Sequence, residues 1–123
     1  MIQLYEEKIS IPKQFFTDED YKSMSNNAEL LYGLLAERLI DEMELEEVWH
    51  DSALRKYYGT RDANRDADGE IYINYPAEEL APLLNVSKST VGKLFKELEA
   101  ANLIARKKRG QGKPDNIYLE LAE

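Results

Sequence analysis

Eight cations crowd the stretch from Asn85 to Asn116: Lys88, Lys93, Lys96, Arg106, Lys107, Lys108, Arg109 and Lys113. Only Glu97, Glu99 and Asp115 oppose them, so this stretch carries +5 in a chain of −8, which leaves −13 on the remainder. Ammonium and guanidinium groups at this density neutralise phosphates. The four consecutive cations 106–109 repel one another unless an anion lies against them. Segregation of this kind marks a local polyanion site on an otherwise acidic protein.

The elements that must position these groups follow from the residues between them. Ser87 is a good N-cap, since its hydroxyl can accept from a free amide of the first helical turn. Beyond it, Val91, Leu94, Phe95, Leu98 and Asn102 fall on one face at helical spacing. The opposite face carries Ser89, Lys93 and Lys96, with Lys88 and Thr90 flanking it near the N-terminus. A recognition helix meets DNA through the N-terminal part of its exposed face, where hydroxyls and lysines bond phosphates and base edges. An ordinary solvated helix face has the same composition. The preceding residues shift the balance: Tyr75–Leu84 reads as a second short helix, with Pro76 near its start and Glu78 and Glu79 in its first turn. Joined by a tight Asn85-Val86-Ser87 turn, the pair forms a helix-turn-helix pattern. Pro82, lacking an amide donor, is expected to kink or shorten the last turn of the first helix.

Leu103–Arg106 and the alternating Asn116–Leu121 read as strands joined by Lys107–Pro114, where Gly110 and Gly112 permit the positive φ angles of a hairpin tip. A basic hairpin directly after a recognition helix is the sequence form of a winged helix; the alternative is a solubilising surface loop. The expected interface is therefore Ser87, Lys88, Ser89, Thr90 and Lys93 in or beside the major groove, and Lys96 on a phosphate. Arg106, Lys107, Lys108, Arg109 and Lys113 form the wing contact to phosphates or a narrow minor groove. The helix lacks Arg, Gln and a well-placed Asn for bidentate base contacts, so specificity is expected to lean on DNA shape and on two copies binding together.

The expected fold class is α+β, mostly α: a winged helix-turn-helix with a small antiparallel sheet and an N-terminal arm. The arm covers residues 1–21 and the winged-helix domain 22–123 of the 123. In the arm, Gln3-Leu4-Tyr5 is a candidate strand and Ile9-Ser10-Ile11 suits a sheet edge, because Pro12 limits pairing. Phe15, Phe16 and Tyr21 must bury either on their own domain or against a second copy. Ser25-Asn26-Asn27 supplies helix-start chemistry for a helix from about Ala28 to Val48. Its stripe is Leu30, Leu31, Leu34, Leu35, Leu39, Ile40 and Met43, and its exposed C-terminal face is Asp41, Glu42, Glu44, Glu46 and Glu47. That acidic face would repel DNA and is expected to point away from it. Gly33 costs about 1 kcal/mol against Ala inside a helix, and a close helix contact would explain it. Ala53, Leu54, Tyr57 and Tyr58 suggest a short helix ending at Gly59.

Asp62–Glu70 repeats oxygens at every second residue, like a calcium loop, but its twelfth position, counted from Asn64, is Tyr75 where a bidentate Glu is required. The expectation is a polar loop closed by an Asp-Gly turn into a strand, Glu70–Tyr75, that completes a sheet with the wing strands. His50, the single histidine, has no second His or Cys to make a metal site. No phosphate-binding glycine loop, nucleophile elbow or His-rich site is present, so neither an enzyme nor a cofactor or metal is expected. There is no cysteine, no apolar run of membrane-spanning length, and no basic-then-apolar pattern in Met1–Glu7, which leads to the expectation of a cytoplasmic protein without membrane contact.

Along most of its length the chain resembles the N-terminal domain of the plasmid replication initiator A family of Gram-positive bacteria. The resemblance rests on Ile11–Phe16, Met24–Leu35, Asp68–Ile73, Leu84–Val91 and Leu98–Lys107, leading through Gly110-Gln111-Gly112-Lys113-Pro114 to Ile117-Tyr118. Glu44–Asp66 is longer and more acidic than the pattern, and nothing is carried over there. The resemblance implies a winged-helix domain that binds repeated double-stranded origin sites, often as a homodimer, and initiates plasmid replication. It also implies a separate C-terminal domain for host replication proteins. That domain is not found here, so the chain is expected to be an excised fragment or a short relative. Two other readings remain open at this point: a winged-helix transcription regulator bound to an operator, and a winged helix used as a protein-interaction module.

Overall fold

Ser25 sets the start of the longest helix. Its hydroxyl accepts a hydrogen bond from the amide of Ala28 at 3.1 Å, so the helix runs Asn26–Trp49. The structure, a computed structural model, describes residues 8–49 and 63–120, with the backbone alone for 45–49. We label the elements α1 (Gln14–Thr17), a 3-10 turn (Glu19–Tyr21), α2 (Asn26–Trp49), α3 (Ala77–Leu84), α4 (Lys88–Ala100), β1 (Ile104–Lys107) and β2 (Asn116–Leu119). The expected short helix at 53–58, His50, the Gln3-Leu4-Tyr5 strand and Asp62 lie outside the described residues. Among the described residues, no helix is long and apolar enough to cross a membrane.

One hydrophobic core joins all of these helices to the hairpin. α2 contributes Ala28, Leu31, Tyr32, Leu35, Ala36 and Leu39; α3 contributes Leu80 and Ala81; α4 contributes Val91, Leu94, Phe95 and Leu98. Ile73, Leu103, Ile104 and Ile117 complete it. The buried stripe of α2 is narrower than expected. At 100° per residue Ala28, Leu31, Tyr32, Leu35 and Leu39 share one face, while Leu30 and Ile40 are rotated off it and stay exposed. Met43, beyond the last core residue of the helix, is exposed as well. Glu42 corrects the expectation of a wholly exposed acidic face. It is buried, and its Oε2 accepts from the amide of Asn64 at 3.0 Å.

The arm docks on its own domain through Phe15, whose ring lies 5.0 Å from Tyr32 in an edge-to-face contact and 5.2 Å from Tyr21. Phe16, one residue on, remains 61% exposed. Gly33 has its explanation here, and it is not a helix–helix contact. A Cβ on Gly33 would stand 2.9 Å from Ile9 Cδ1, so the glycine lets the arm cross α2 closely.

Asparagine ends both helices of the helix-turn-helix. Asn85 and Asn102 take left-handed backbone (φ 55° and 60°). Val86 N bonds Ala81 O and Leu103 N bonds Leu98 O, each at 3.0 Å, the long hydrogen bonds of a Schellman ending. Asn102 is thus a cap rather than a member of the apolar face, and it is exposed. Pro82 is accommodated on the exposed side of α3, which continues to Leu84.

The hairpin pairs Ile104 with Leu119, Ala105 with Tyr118, Arg106 with Ile117 and Lys107 with Asn116 in antiparallel register. The expected third strand is reduced to a single bridge. Ile73 and Ile117 exchange both backbone hydrogen bonds, at 2.9 and 2.8 Å, without further pairing to the hairpin. The 66–70 loop is closed from within. Asp66 Oδ1 accepts from the amides of Asp68 and Glu70, both at 2.9 Å, and Oδ2 accepts from the Tyr118 hydroxyl at 2.9 Å. Where a calcium loop would aim oxygens at a cation, both oxygens of this carboxylate meet hydrogen-bond donors. The Tyr118 bond, then the Glu70 amide, hold the Asp66 carboxyl below its ordinary value of 3.8. A lowered carboxylate contributes stability that is fully present above about pH 4 and is lost as pH falls through its folded value. In urea titrations between about pH 6 and pH 2.5, D66N should therefore flatten part of the acid limb of stability. An acid limb identical to wild type would remove Asp66 from that role.

Candidate nucleic-acid interface

α4 begins at Ser87, and the cap uses the residues expected to face DNA. Ser87 Oγ accepts from Thr90 N at 3.2 Å and lies 3.0 Å from Thr90 Oγ1 and 3.1 Å from Ser89 Oγ. These hydroxyls order one another at the first turn; Ser87 and Ser89 stay exposed and Thr90 is half-buried. Lys93 and Lys96 project from the exposed face of the next turns, opposite Val91, Leu94, Phe95 and Leu98.

The two carboxylates of α4 are turned to structural work. Glu97 accepts from Ser25 N and Ser25 Oγ, both at 2.9 Å, bolting α4 to the first turn of α2. Glu99 accepts from Arg106 Nη2 at 2.6 Å and Nε at 3.0 Å. Neither carboxylate is then free to oppose the lysines. Sequence reading had no means of finding the Glu97 contact, which spans 72 residues.

This geometry separates Arg106 from the other wing cations. Its guanidinium sits 4.7 Å from the centre of the Phe95 ring and is tied to Glu99, so it anchors the hairpin to α4. R106A should lower stability by roughly 1 kcal/mol, readable in urea denaturation, since the pair is only partly exposed. A stability equal to wild type would show that the hairpin does not need this anchor. Strand alternation then turns Lys107 to the opposite face of the hairpin, 5.9 Å from the Tyr118 ring. Lys108, Arg109 and Lys113 occupy the exposed tip. There Gly110 (φ 126°) and Gly112 (φ 79°) turn the chain, and Arg109 Nε donates to Pro114 O at 3.0 Å.

Lys88, Arg106 and Lys113 converge on a cleft of about 540 Å³ between α4, the hairpin tip and the start of α3. No described residue of α2 lines it. Lys88 lies 3.6 Å from Glu78, but both side chains are about two-thirds exposed (66% and 65%), so this pair is worth little and exchanges readily. Among the described residues, no carboxylate makes an ion pair with Lys93, Lys96, Lys108 or Lys113. The lining of the cleft includes Gly92, an interior helix position where glycine costs about 1 kcal/mol against alanine.

A residue that sequence reading did not single out holds the scaffold behind this surface. Arg38 Nη1 donates to Asn74 O at 3.0 Å, and its guanidinium stacks 3.6 Å from the centre of the Tyr75 ring. Burial pushes the Tyr75 phenol above its ordinary value, against the opposing pull of the Arg38 charge.

The chain is similar to solved structures of this architecture. One described as the N-terminal domain of a DNA binding protein shares 33% identity, with a TM-score of 0.67, over 98% of this chain and 80% of that one. A second, described as the structure of a Rep–DNA complex, shares 33% identity and a TM-score of 0.67 over 98% of this chain and 81% of that one. A third, described as the structure of an MDR initiator, shares 28% identity and a TM-score of 0.67 over 100% of this chain and 84% of that one. Among curated proteins there is no match. Residues 8–123 match the family model described as the N-terminus of replication initiator protein A (RepA). The helix-turn-helix, the basic hairpin behind it and this match over nearly the whole chain agree: the protein belongs to the RepA N-terminal family of replication initiators.

Proposed function

We propose that this domain binds double-stranded DNA in a sequence-specific manner at a plasmid replication origin, through α4 and the tip of the β1–β2 hairpin. The observation that carries the reading is the sorting of charge on these elements. Glu97 and Glu99 are drawn into internal contacts, while Lys93, Lys96, Lys108 and Lys113 stand exposed without carboxylate partners among the described residues. One of the similar structures is described as a Rep–DNA complex, which supports DNA as the polyanion.

The groove contact falls to Ser89 and Lys93, with Lys88 beside them and Lys96 on the phosphates; Lys108, Arg109 and Lys113 form the wing contact. Ser87 and Thr90 position the first turn, and Arg106 holds the wing at its angle. The domain acts as a homodimer on repeated sites and passes the origin to host replication proteins. Selection of bound sites from random duplexes tests this directly, with the stoichiometry of the selected complex measured by light scattering. Enrichment of one motif at two copies per repeat supports it. Binding with no motif overturns sequence specificity, and one copy per site overturns the dimer. Mapping occupancy on the native replicon then separates an origin from a promoter operator.

A further inference from the structure

Gly92 has no reason of its own to be glycine. Among the described glycines, Gly69, Gly110 and Gly112 have positive φ, and Gly33 lies under Ile9. Gly92 is in regular helix, and a Cβ built there meets nothing within 4 Å among the described residues. The domain's packing would accept alanine, a better helix former, at this position. Yet the open space above Gly92 is not featureless. Gly92 lines the cleft that Lys88, Arg106 and Lys113 share, together with Pro76 and Glu78 at the start of α3. At about 540 Å³ the cleft has room for far more than a few waters.

We propose that Gly92 is the point of closest approach between α4 and a DNA sugar–phosphate strand, which lies in this cleft with Lys88 and Lys113 on its phosphates. The inference rests on the DNA-binding reading above. A glycine lets a foreign backbone come as close to a helix as the helix backbone allows, and a side chain there holds it off. Lys88 releases its exposed Glu78 partner and takes a phosphate in exchange. Arg106, already neutralised by Glu99, lines the cleft without acting as a phosphate clamp. The elements of the cleft also carry Asp115 in its lining, so the strand must pass on the lysine side of the hairpin tip.

The test sets stability against affinity. Wild type, G92A and G92L are compared by thermal melting and by titration with a selected site and an unrelated duplex. G92A should melt at or above the wild-type temperature, by up to roughly 4 °C, while binding both duplexes about tenfold more weakly. G92L should bind more weakly still. A strand held by its backbone costs every sequence alike, so the two duplexes should lose affinity by the same factor. Unchanged affinity in both variants overturns the inference and leaves DNA binding intact. So does a melting temperature below wild type in G92A, which would show that the fold itself needs the glycine. Loss confined to the selected site would put a base edge, not the backbone, at Gly92. If wild type binds neither duplex, the functional reading fails, and this inference with it.

Discussion

Replacing Lys93, Lys96, Lys108 and Lys113 together by alanine should flatten the salt dependence of duplex binding by about 2.7 in log–log slope. The value is three phosphate contacts, those of Lys96, Lys108 and Lys113, at about 0.9 each; Lys93 lies in the groove. Counterion release contributes little near 1 M salt and grows by that slope for each decade below it. At about 0.1 M the variant should therefore bind two to three orders of magnitude more weakly from this source alone, with the lost Lys93 groove contact added to it. The fold should not suffer. All four side chains are exposed, none has a carboxylate partner among the described residues, and substitutions at such sites shift stability by roughly 0.5 kcal/mol or less. R106A is the control that gives this result its meaning. Its cation is committed to Glu99, so it should change stability more than slope. A salt slope equal to wild type in the quadruple variant would remove this surface from the interface, whatever the affinity.

F15A should destabilise the domain by about 3–5 kcal/mol, while F16A should change it by less than roughly 0.5. Adjacent and chemically identical, the two rings differ in placement: Phe15 is 1% exposed and Phe16 61%. Phe15 fills the space between Tyr21 and Tyr32, and Tyr32 in turn donates through its hydroxyl to Glu120 O at 3.1 Å, beyond the end of β2. Truncating Phe15 opens a cavity where the arm, α2 and the far end of the hairpin meet. Against a typical total of 5–15 kcal/mol, such a loss moves a urea midpoint by a large fraction of its value. Equal midpoints for F15A and F16A would mean that the arm contributes nothing to the fold. If F16A instead shifts the monomer–dimer balance while its midpoint holds, its exposed ring belongs to an interface between copies.

Local chemistry was legible wherever one or two residues decide the backbone. Ser25 and Ser87 cap helices where helix starts were expected, and Gly110 and Gly112 take the positive φ their position in a hairpin tip demands. The apolar period of α4 identified its buried face correctly through Leu98 and overran at Asn102, because an asparagine at the end of a periodic run is also a left-handed cap. Along α2 the apolar pattern is wider than the face that packing buries. Periodicity says which residues share a face but not how much of that face neighbouring elements will cover, and here Leu30 and Ile40 are left out.

By itself, the sequence determined the order of α2, α3, α4 and the two hairpin strands, the serine caps, the hairpin tip and the concentration of positive charge on residues 85–116, since each of these depends on neighbours within a few positions. Which of those charges are available was decided only by the tertiary structure. Glu97 meets Ser25 and Glu99 meets Arg106 because packing brings α4 against α2 and the hairpin; strand alternation sends Lys107 to the face away from Arg106. The Gly33 crossing by Ile9, the Asp66–Tyr118 bond and the open space at Gly92 are likewise products of packing. The physical reason is one of range. Capping and periodicity are local, whereas ion pairing, burial and close approach depend on distances that the chain sets only once it has folded.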